Sequence, residues 1–312
     1  MITQNKATLA FNSDQGLKQI KIRTPQAFSF AETLHYLKRS PLECMHVVEE
    51  ERVYKLLMIE GRQTIVKIHE NEEGMIQVDF EMDSPGTESA YRKVAKYIVE
   101  WFDLETDLRP FYEMAEKDKF LDGLTKSFHG LRVIGVPDLF EALCWSVIGQ
   151  QVNLPFAYTV KRRFVEAYGR SVEWDGHTFW LFPKPQDIIS LKVEDLKQLK
   201  FTSRKAEYIL GLAEMMANGS LTKESLLEDQ QYAEQLLLSI RGIGPWSAHY
   251  VMMRCLRDHS AFPIGDAGLQ NALKKLLGRE KKPAPEEIRK LFSRWENWEA
   301  YAVFYLWRSL SE

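Results

Sequence analysis

The most chemically informative stretch of the sequence contains two glycines, Gly242 and Gly244, which flank the single aliphatic residue Ile243. Such a pair lets a backbone reverse tightly, and Pro245 can then begin a helix because its missing N–H costs nothing there. The free amides and positive dipole end of that helix can bind a phosphate oxygen. Because amides read no base sequence, the pattern predicts two helices joined by a hairpin that binds a nucleic-acid backbone non-specifically, or else a plain turn.

A carboxylate, Asp266, follows this hairpin, and its surroundings leave two interpretations open. It can cap the N-terminus of a helix that begins at Ala267. It can also stabilise the positive charge that builds on a sugar when an N-glycosidic bond breaks, and orient or deprotonate water. The sequence therefore indicates a helix cap or a catalytic group at Asp266.

Two aromatic residues, Trp246 and Tyr250, follow the hairpin one helical turn apart, so they share a helix face. Electron-rich rings can select a cationic base by stacking and by cation–π attraction. The same spacing is also typical of residues that pack in a core. The pair is thus a candidate base pocket, with ordinary packing as the alternative.

The composition is that of an ordinary globular protein, with 45% hydrophobic and 27% charged residues among 312. At roughly 150 residues per domain, this length suggests two or three domains. The first residues lack a signal-peptide pattern, and no segment is apolar enough to span a membrane, so we expect a cytoplasmic protein without a membrane partner. Three widely separated cysteines suggest neither a disulfide framework nor a metal knuckle. The net charge of −3 argues mildly against binding nucleic acid through bulk charge.

The residues that carry this chemistry follow an N-terminal part with a different hydrophobic pattern. Short stretches alternate as strands do, and two amphipathic helices interrupt them. We predict an α+β domain with an antiparallel sheet over residues 1–112. Its predicted strands are Lys18–Ile22, Val53–Ile59, Gln63–Ile68 and Met75–Phe80, and its predicted helices are Ser29–Lys38 and Glu88–Phe102.

From about Pro110 onward, apolar residues recur every three or four positions, which predicts an all-helical domain over 113–312. Within it, the hairpin and its two helices should span about 232–257, and Val172–Phe182 should be an irregular or weakly extended insertion with a turn at Gly176. The predicted helices are Pro137–Val147, Phe156–Tyr168, Ser203–Met216, Tyr232–Ile240, Pro245–Leu256, Asp266–Leu277, Pro285–Trp295 and Trp298–Leu310.

Five segments occur in the order typical of the helix-hairpin-helix DNA glycosylase superfamily, and the chain most resembles its 3-methyladenine DNA glycosylase II branch. This resemblance covers most of the chain and implies an N-terminal sheet similar to that of the TATA-binding protein. The segments are Gly149-Gln150-Gln151-Val152, Phe201-Thr202-Ser203-Arg204-Lys205-Ala206, the hairpin and second helix over 243–250, the loop over 262–269, and Trp295-Glu296-Asn297-Trp298-Glu299-Ala300-Tyr301-Ala302.

The resemblance implies a monofunctional glycosylase that flips alkylated purines out of duplex DNA and hydrolyses their N-glycosidic bond during base excision repair. Asp266 would be catalytic, and Trp307 would join Trp246 and Tyr250 in the base pocket. Gln151, or failing that Gln150, would fill the space that the flipped base leaves. A cationic base such as 3-methyladenine or 7-methylguanine needs no general acid. A glycosylase for oxidised or deaminated bases and a non-catalytic damaged-DNA-binding module remain alternatives.

The resemblance also implies contacts around the hairpin. The DNA backbone would meet Gly242, Gly244, Arg241, Ser247, Arg204 and Lys205. The backbone carbonyls of Leu238, Ile240 and Ile243 would hold a sodium or potassium ion that helps neutralise the phosphate.

Two departures from relatives narrow the expected chemistry. Trp246 stands where bifunctional relatives carry a Schiff-base lysine, so we expect no lyase activity. No cysteine follows Cys255, so we expect no iron–sulfur cluster. Gly265 and Ala267, beside the aspartate, differ from some relatives, which leaves the lesion range open. We expect a monomer that binds damaged duplex DNA and associates with the bacterial nucleoid.

Overall fold

The computed structural model describes residues 19–311 and shows an N-terminal antiparallel sheet followed mainly by helices, which is the predicted α+β class. Five strands pair antiparallel in the order β1-β5-β4-β3-β2. They are β1 (Gln19–Ile22), β2 (Val47–Glu49), β3 (Arg52–Ile59), β4 (Arg62–Glu70) and β5 (Ile76–Phe80). The four predicted strands are confirmed, although Lys18 lies outside the described residues, and the short strand β2 was not predicted.

Fifteen helices are present in the described part of the chain. They are α1 (Phe30–Leu37), α2 (Glu88–Phe102), α3 (Arg109–Ala115), α4 (Leu121–Ser127), α5 (Leu139–Ile148), α6 (Leu154–Tyr168), α7 (Pro185–Ile188), α8 (Val193–Gln198), α9 (Ser203–Ala217), α10 (Lys223–Glu228), α11 (Gln230–Ser239), α12 (Pro245–Arg254), α13 (Ala267–Leu276), α14 (Pro285–Phe292) and α15 (Glu299–Arg308). All the long predicted helices are confirmed within a few residues. The short helices α3, α4, α7, α8 and α10 were not predicted, because one or two turns show too little periodicity.

Of the two alternatives for Val172–Phe182, the extended one is confirmed, because this segment forms a β-hairpin that turns at Gly176 within the helical part. Strands β6 (Arg170–Trp174) and β7 (His177–Leu181) pair across Asp175 and Gly176. Both turn residues have positive φ, 46° and 76°, as a tight two-residue hairpin requires. The C-terminal part is therefore not purely helical.

This hairpin covers one face of the N-terminal sheet. Leu56 and Ile65 on that face form a small buried cluster with Phe179 of β7. The opposite face contributes Leu57 and Val66 to the main core, because neighbouring residues of a strand point to opposite sides. Both faces of the sheet are thus buried against other parts of the chain.

The sheet and the helices share one continuous hydrophobic core, which runs from Ile20 to Leu306. The predicted boundary between residues 112 and 113 falls within α3, and the division into two domains stays a prediction. An ion pair between Arg308 Nε and Glu32 Oε2, 2.6 Å apart, joins α15 to α1. The N-terminal part is therefore positioned directly against the last helix. None of the helices between residues 19 and 311 is long and apolar enough to cross a bilayer.

Candidate active site

The glycine hairpin joins the end of α11 to the start of α12, and Gly242 is required at its turn. Its φ of +94° lies in the left-handed region that favours glycine. A Cβ atom at this position would also lie 2.2 Å from Cγ of Tyr208, which packs against the turn from α9. Gly244 has open space around it and forms the N-cap of α12.

The start of α12 is the helix end for which the sequence predicts a phosphate contact. No described side chain caps this helix, and Pro245 at its first position carries no N–H. The amides of Trp246 and Ser247 come next, and N–H groups in a first turn have no partner within the helix. Together with the helix dipole, this end of α12 is suited to an anion such as a DNA phosphate.

Gln150 ties the end of α5 to the hairpin. Its Nε2 donates to the carbonyl oxygen of Gly242 at 2.8 Å and to Oγ of Ser247 at 2.9 Å. Ser247 is only 1% exposed, so its hydroxyl faces the interior. Gln151, in contrast to the partly buried Gln150, is exposed, and its backbone has a φ of +54°. Of the two wedge candidates, the geometry favours Gln151.

The side chain of Lys205 is also turned inward. Its Nζ donates to the carbonyl oxygens of Ile148 at 2.8 Å and Gln150 at 2.7 Å, where α5 ends. Burial lowers the pKa of this ammonium group. Its expected contact with a DNA backbone does not fit this arrangement, in which Lys205 instead supports the turn that carries Gln151.

The neighbouring cations, Arg204 and Arg241, are exposed. Arg241 Nη2 lies 2.6 Å from Oε2 of Glu207, a surface pair that water screens and that a phosphate could replace. Both arginines remain candidates for backbone contact.

The carboxylate of Asp266 both caps a helix and binds two tryptophan side chains. Its Oδ1 accepts from the amide of Leu269 at 2.7 Å, which caps α13. Trp307 Nε1 donates to Oδ1 at 2.8 Å, and Trp246 Nε1 donates to Oδ2 at 3.0 Å. Three N–H donors thus fix the orientation of a partly exposed carboxylate. The same carboxylate is therefore both the predicted helix cap and the candidate catalytic group.

Aromatic rings extend inward from the two tryptophans. The rings of Trp246 and Tyr250 lie 5.6 Å apart, and those of Trp307 and Phe304 lie 5.9 Å apart. Tyr36 of α1 stands 4.9 Å from Phe304 and brings the N-terminal part to the same place. Phe304 lies one turn before Trp307 on α15 and could have been found from that spacing. Nothing in the sequence pointed to Tyr36.

The hydroxyl of Tyr250 lies at the inner end of this group. The residue is only 4% exposed, and burial raises its pKa to about 12. Its oxygen accepts a hydrogen bond from Nη1 of Arg254 at 3.1 Å. Tyr250 therefore keeps its proton at neutral pH and is held by a guanidinium group.

The carbonyls expected to hold a monovalent cation lie around the hairpin turn. Leu238 lies in the last turn of α11, where carbonyls lack helical N–H partners. The carbonyl of Ile240 accepts from the amide of Ile243 at 3.0 Å and retains a second lone pair. Backbone oxygens of this kind suit a hard cation.

All three cysteines are free thiols, and the described residues contain no cluster of three or more histidine, cysteine or acidic side chains suited to a metal.

The hairpin and the carboxylate that follows it define a class of DNA repair protein, and comparison with known proteins agrees. Residues 144–297 match the HhH-GPD superfamily of base excision DNA repair proteins, and residues 17–143 match the N-terminal domain of 8-oxoguanine DNA glycosylase. The chain belongs to the HhH-GPD superfamily.

The particular relatives are glycosylases. The chain is 46% identical over 293 residues to the DNA-3-methyladenine glycosylase of Bacillus subtilis, which covers 93% of this chain and 97% of that protein. The 3-methyladenine DNA glycosylase of Archaeoglobus fulgidus has the same fold, with a TM-score of 0.79 and 24% identity over 93% of this chain and 97% of that one. The Clostridium acetobutylicum 8-oxoguanine glycosylase/lyase, solved with double-stranded DNA, has a TM-score of 0.72 and 17% identity over 95% of this chain and 97% of that one.

Proposed function

We propose that this protein is a monofunctional DNA glycosylase that releases alkylated purines of the 3-methyladenine and 7-methylguanine type from duplex DNA. The observation that carries the proposal is the carboxylate of Asp266, which two indole N–H groups fix beside an anion-binding hairpin. The name of the Bacillus subtilis relative supports the choice of alkylpurines over oxidised bases.

The reaction follows from the positions of these groups. The amides at the start of α12 bind a phosphate, and Gln151 occupies the space left by the flipped nucleotide, whose unstacking costs a few kcal/mol or less for a damaged base. The C1′–N bond breaks, its electron pair leaves with the base, and positive charge builds on C1′ and the ring oxygen. The carboxylate of Asp266 stabilises that charge. Water then adds to C1′ and gives up its proton, and the carboxylate can accept it.

The same geometry supports hydrolysis without strand cleavage. A lyase needs an amine that attacks C1′ and forms a Schiff base. Trp246 occupies the position of that lysine, and its indole is committed to Asp266. The nearby amine of Lys205 is held by two carbonyls. We expect the abasic strand to stay intact.

We also propose that a sodium or potassium ion, held by carbonyls of the hairpin, supplies positive charge beside the bound phosphate. Leu238, Ile240 and Ile243 are the residues that would hold it. We expect the protein to act as a monomer in the cytoplasm, at the bacterial nucleoid.

The proposal is tested by incubating the protein with methylated genomic DNA and identifying the bases that appear in solution. Release of 3-methyladenine or 7-methylguanine, with strands that break only after alkali treatment, is the expected result. Release of 8-oxoguanine alone from oxidised DNA would favour the oxidised-base alternative. Binding of damaged duplex without release of any base would favour a non-catalytic module.

A further inference from the structure

A cleft of about 50 Å³ lies at the inner end of the aromatic group, between the N-terminal part and the helical part. Tyr36 and Arg39 line it from the first helix and the residues after it, and Tyr158 lines it from α6. Tyr250 and Arg254 line it from α12, so Tyr250 belongs to both the cleft and the aromatic group. The cleft therefore adjoins the inner end of the candidate base pocket.

Arg254 connects the two aromatic walls at the end opposite Asp266. Its Cζ lies 5.4 Å from the ring of Tyr250 and 5.7 Å from the ring of Phe304. Those rings are the inner neighbours of the two tryptophans that bind the carboxylate. Successive side chains thus contact one another in a ring, in the order Asp266, Trp246, Tyr250, Arg254, Phe304, Trp307. The carboxylate of Asp266 and the guanidinium group of Arg254 lie on opposite sides of this ring.

The inner cleft carries more positive than negative charge. Its cations are Arg39, Lys55, Lys161 and Arg254, and its carboxylates are Glu43 and Glu141. Both carboxylates pair with Lys161, with N–O distances of 3.3 and 3.0 Å. Within residues 19–311, no carboxylate lies within 4.0 Å of the other three cations. Burial lowers the pKa of His46, in the same cleft, to about 4, so it adds no charge at neutral pH.

The partners of these three cations are neutral. Arg39 donates to the phenol oxygens of Tyr158 and Tyr36. Lys55 Nζ donates to the carbonyl oxygen of Met45 at 2.8 Å, and Arg254 donates to the carbonyl oxygen of Ile134 and to Tyr250. Arg254 is only 3% exposed, so its charge is weakly screened by water. The cleft therefore presents a positive potential to a base lodged against Tyr250.

We propose that this cationic end assists departure of the base, with Arg39 and Arg254 as electrostatic positioning residues. The inference rests on the proposed glycosylase function. When the C1′–N bond breaks, its electron pair moves onto the base, whose charge falls by one. A cationic alkylpurine becomes neutral, and a neutral purine becomes an anion. In both cases the positive end favours the departing base over the bound substrate, while Asp266 favours the cationic sugar.

The effect on kinetics depends on the charge of the base. A cationic base is repelled from the cleft in the ground state and less so in the transition state, so the cleft weakens binding and accelerates cleavage. A neutral base meets no such repulsion, and its transition state is stabilised outright. The cationic end thus supports release of neutral purines, whose departure as anions is the harder reaction.

Arg39→Met tests this proposal, because Arg39 is exposed and its replacement does not empty a packed core. Single-turnover release would be measured on duplexes identical except for one 7-methylguanine or one hypoxanthine, and binding would be referred to undamaged duplex. Arg39→Lys keeps the charge and should restore release. Arg92→Met is the matched control, since Arg92 lies on an exposed part of α2 and pairs with Glu88.

For Arg39→Met we expect hypoxanthine release to slow about tenfold with unchanged half-saturation, because one of the positive charges that favour the departing base is lost. Release of 7-methylguanine should slow by a similar factor, while its half-saturation falls in parallel. Equal losses on both substrates without tighter binding would indicate a merely structural role and overturn the proposal. Unchanged rates would also overturn it, as would a wild-type protein that releases 7-methylguanine but never hypoxanthine. A wild-type protein that releases neither base contradicts the proposed function itself.

Discussion

Replacing Gly242 by alanine should destabilise the whole protein, whereas the same change two residues later should not. A Cβ at Gly242 would meet the ring of Tyr208 at 2.2 Å, and its φ of +94° disfavours any side chain. Left-handed backbone costs about 1–2 kcal/mol, and forcing extra atoms into a packed site costs typically about 1–3 kcal/mol. The sum, roughly 2–5 kcal/mol, corresponds to a melting temperature lower by roughly 3–8 °C for a chain of this length.

Gly244→Ala is the matched control, since Gly244 has a φ of −94° and open space around its Cα. We expect its melting temperature to stay within about 2 °C of wild type. Its methyl group would still stand at the anion-binding end of α12, so binding to undamaged duplex should weaken for every sequence alike. Thermal unfolding and duplex titration measure the two effects separately.

A second substitution isolates the clash from the backbone strain. Tyr208→Ala removes the ring that the new Cβ would meet, so adding Gly242→Ala to it should cost only the roughly 1–2 kcal/mol of left-handed strain. If Gly242→Ala unfolds at the same temperature as Gly244→Ala, the hairpin geometry described here is wrong. Binding loss confined to one duplex sequence would contradict the amide-based contact.

Three further predictions concern the turn that carries the wedge and the interface between the sheet and the helices. Gln150→Leu should lower the free energy of unfolding by about 1–3 kcal/mol, because it leaves the Ser247 hydroxyl buried without its partner. Gln151→Ala should leave stability unchanged but slow base release. If instead Gln151→Ala lowered stability and Gln150→Leu slowed release alone, the assignment of the wedge to Gln151 would be refuted. Lys205→Met should lower the free energy of unfolding and slow base release without changing the salt dependence of DNA binding. Arg204→Met should reduce that salt dependence without lowering the free energy of unfolding. His46 has its pKa lowered to about 4 by burial, so the unfolded state takes up its proton first; unfolding free energy should fall between about pH 6.5 and 4, and His46→Gln should flatten that fall.

Local signals explain why much of the fold was predictable. Helix α2 begins and ends where predicted, because the Thr87 hydroxyl accepts from the amide of Ala90 and Asp103 adopts a left-handed conformation at the end. The order of hairpin, proline and Asp266 likewise predicted where α12 begins and that Asp266 can cap α13. Strands β6 and β7 could be predicted only as an irregular or weakly extended segment with a turn at Gly176, because five residues on each side of the turn are too few to show a clear alternation.

The inner half of the site could not be predicted from local pattern. Tyr36 and Arg39 reach it from the N-terminal part, and only the packing of α1 against α15 brings them there. The sequence also does not show which way the side chains of Lys205 and Gln150 point. A polar residue near a helix end can face solvent or interior carbonyls, and the surrounding backbone decides which.

The central claim is that Asp266 acts on the sugar and is more than a helix cap. Asp266→Asn is nearly isosteric and keeps an oxygen that can accept from the amide of Leu269. Asp138→Asn is the matched control, because Asp138 caps α5 by accepting from the amide of Glu141 at 2.7 Å.

The decisive measurement is single-turnover release of 7-methylguanine from alkylated duplex DNA, alongside binding of undamaged duplex. We expect Asp266→Asn to slow release by about 10²–10³-fold or more, because the charge that stabilises the transition state is lost. Binding should stay within about threefold, and Asp138→Asn should release the base nearly as wild type does, since a cap alters stability and little else. Release by Asp266→Asn at the rate of the Asp138→Asn control would contradict the account.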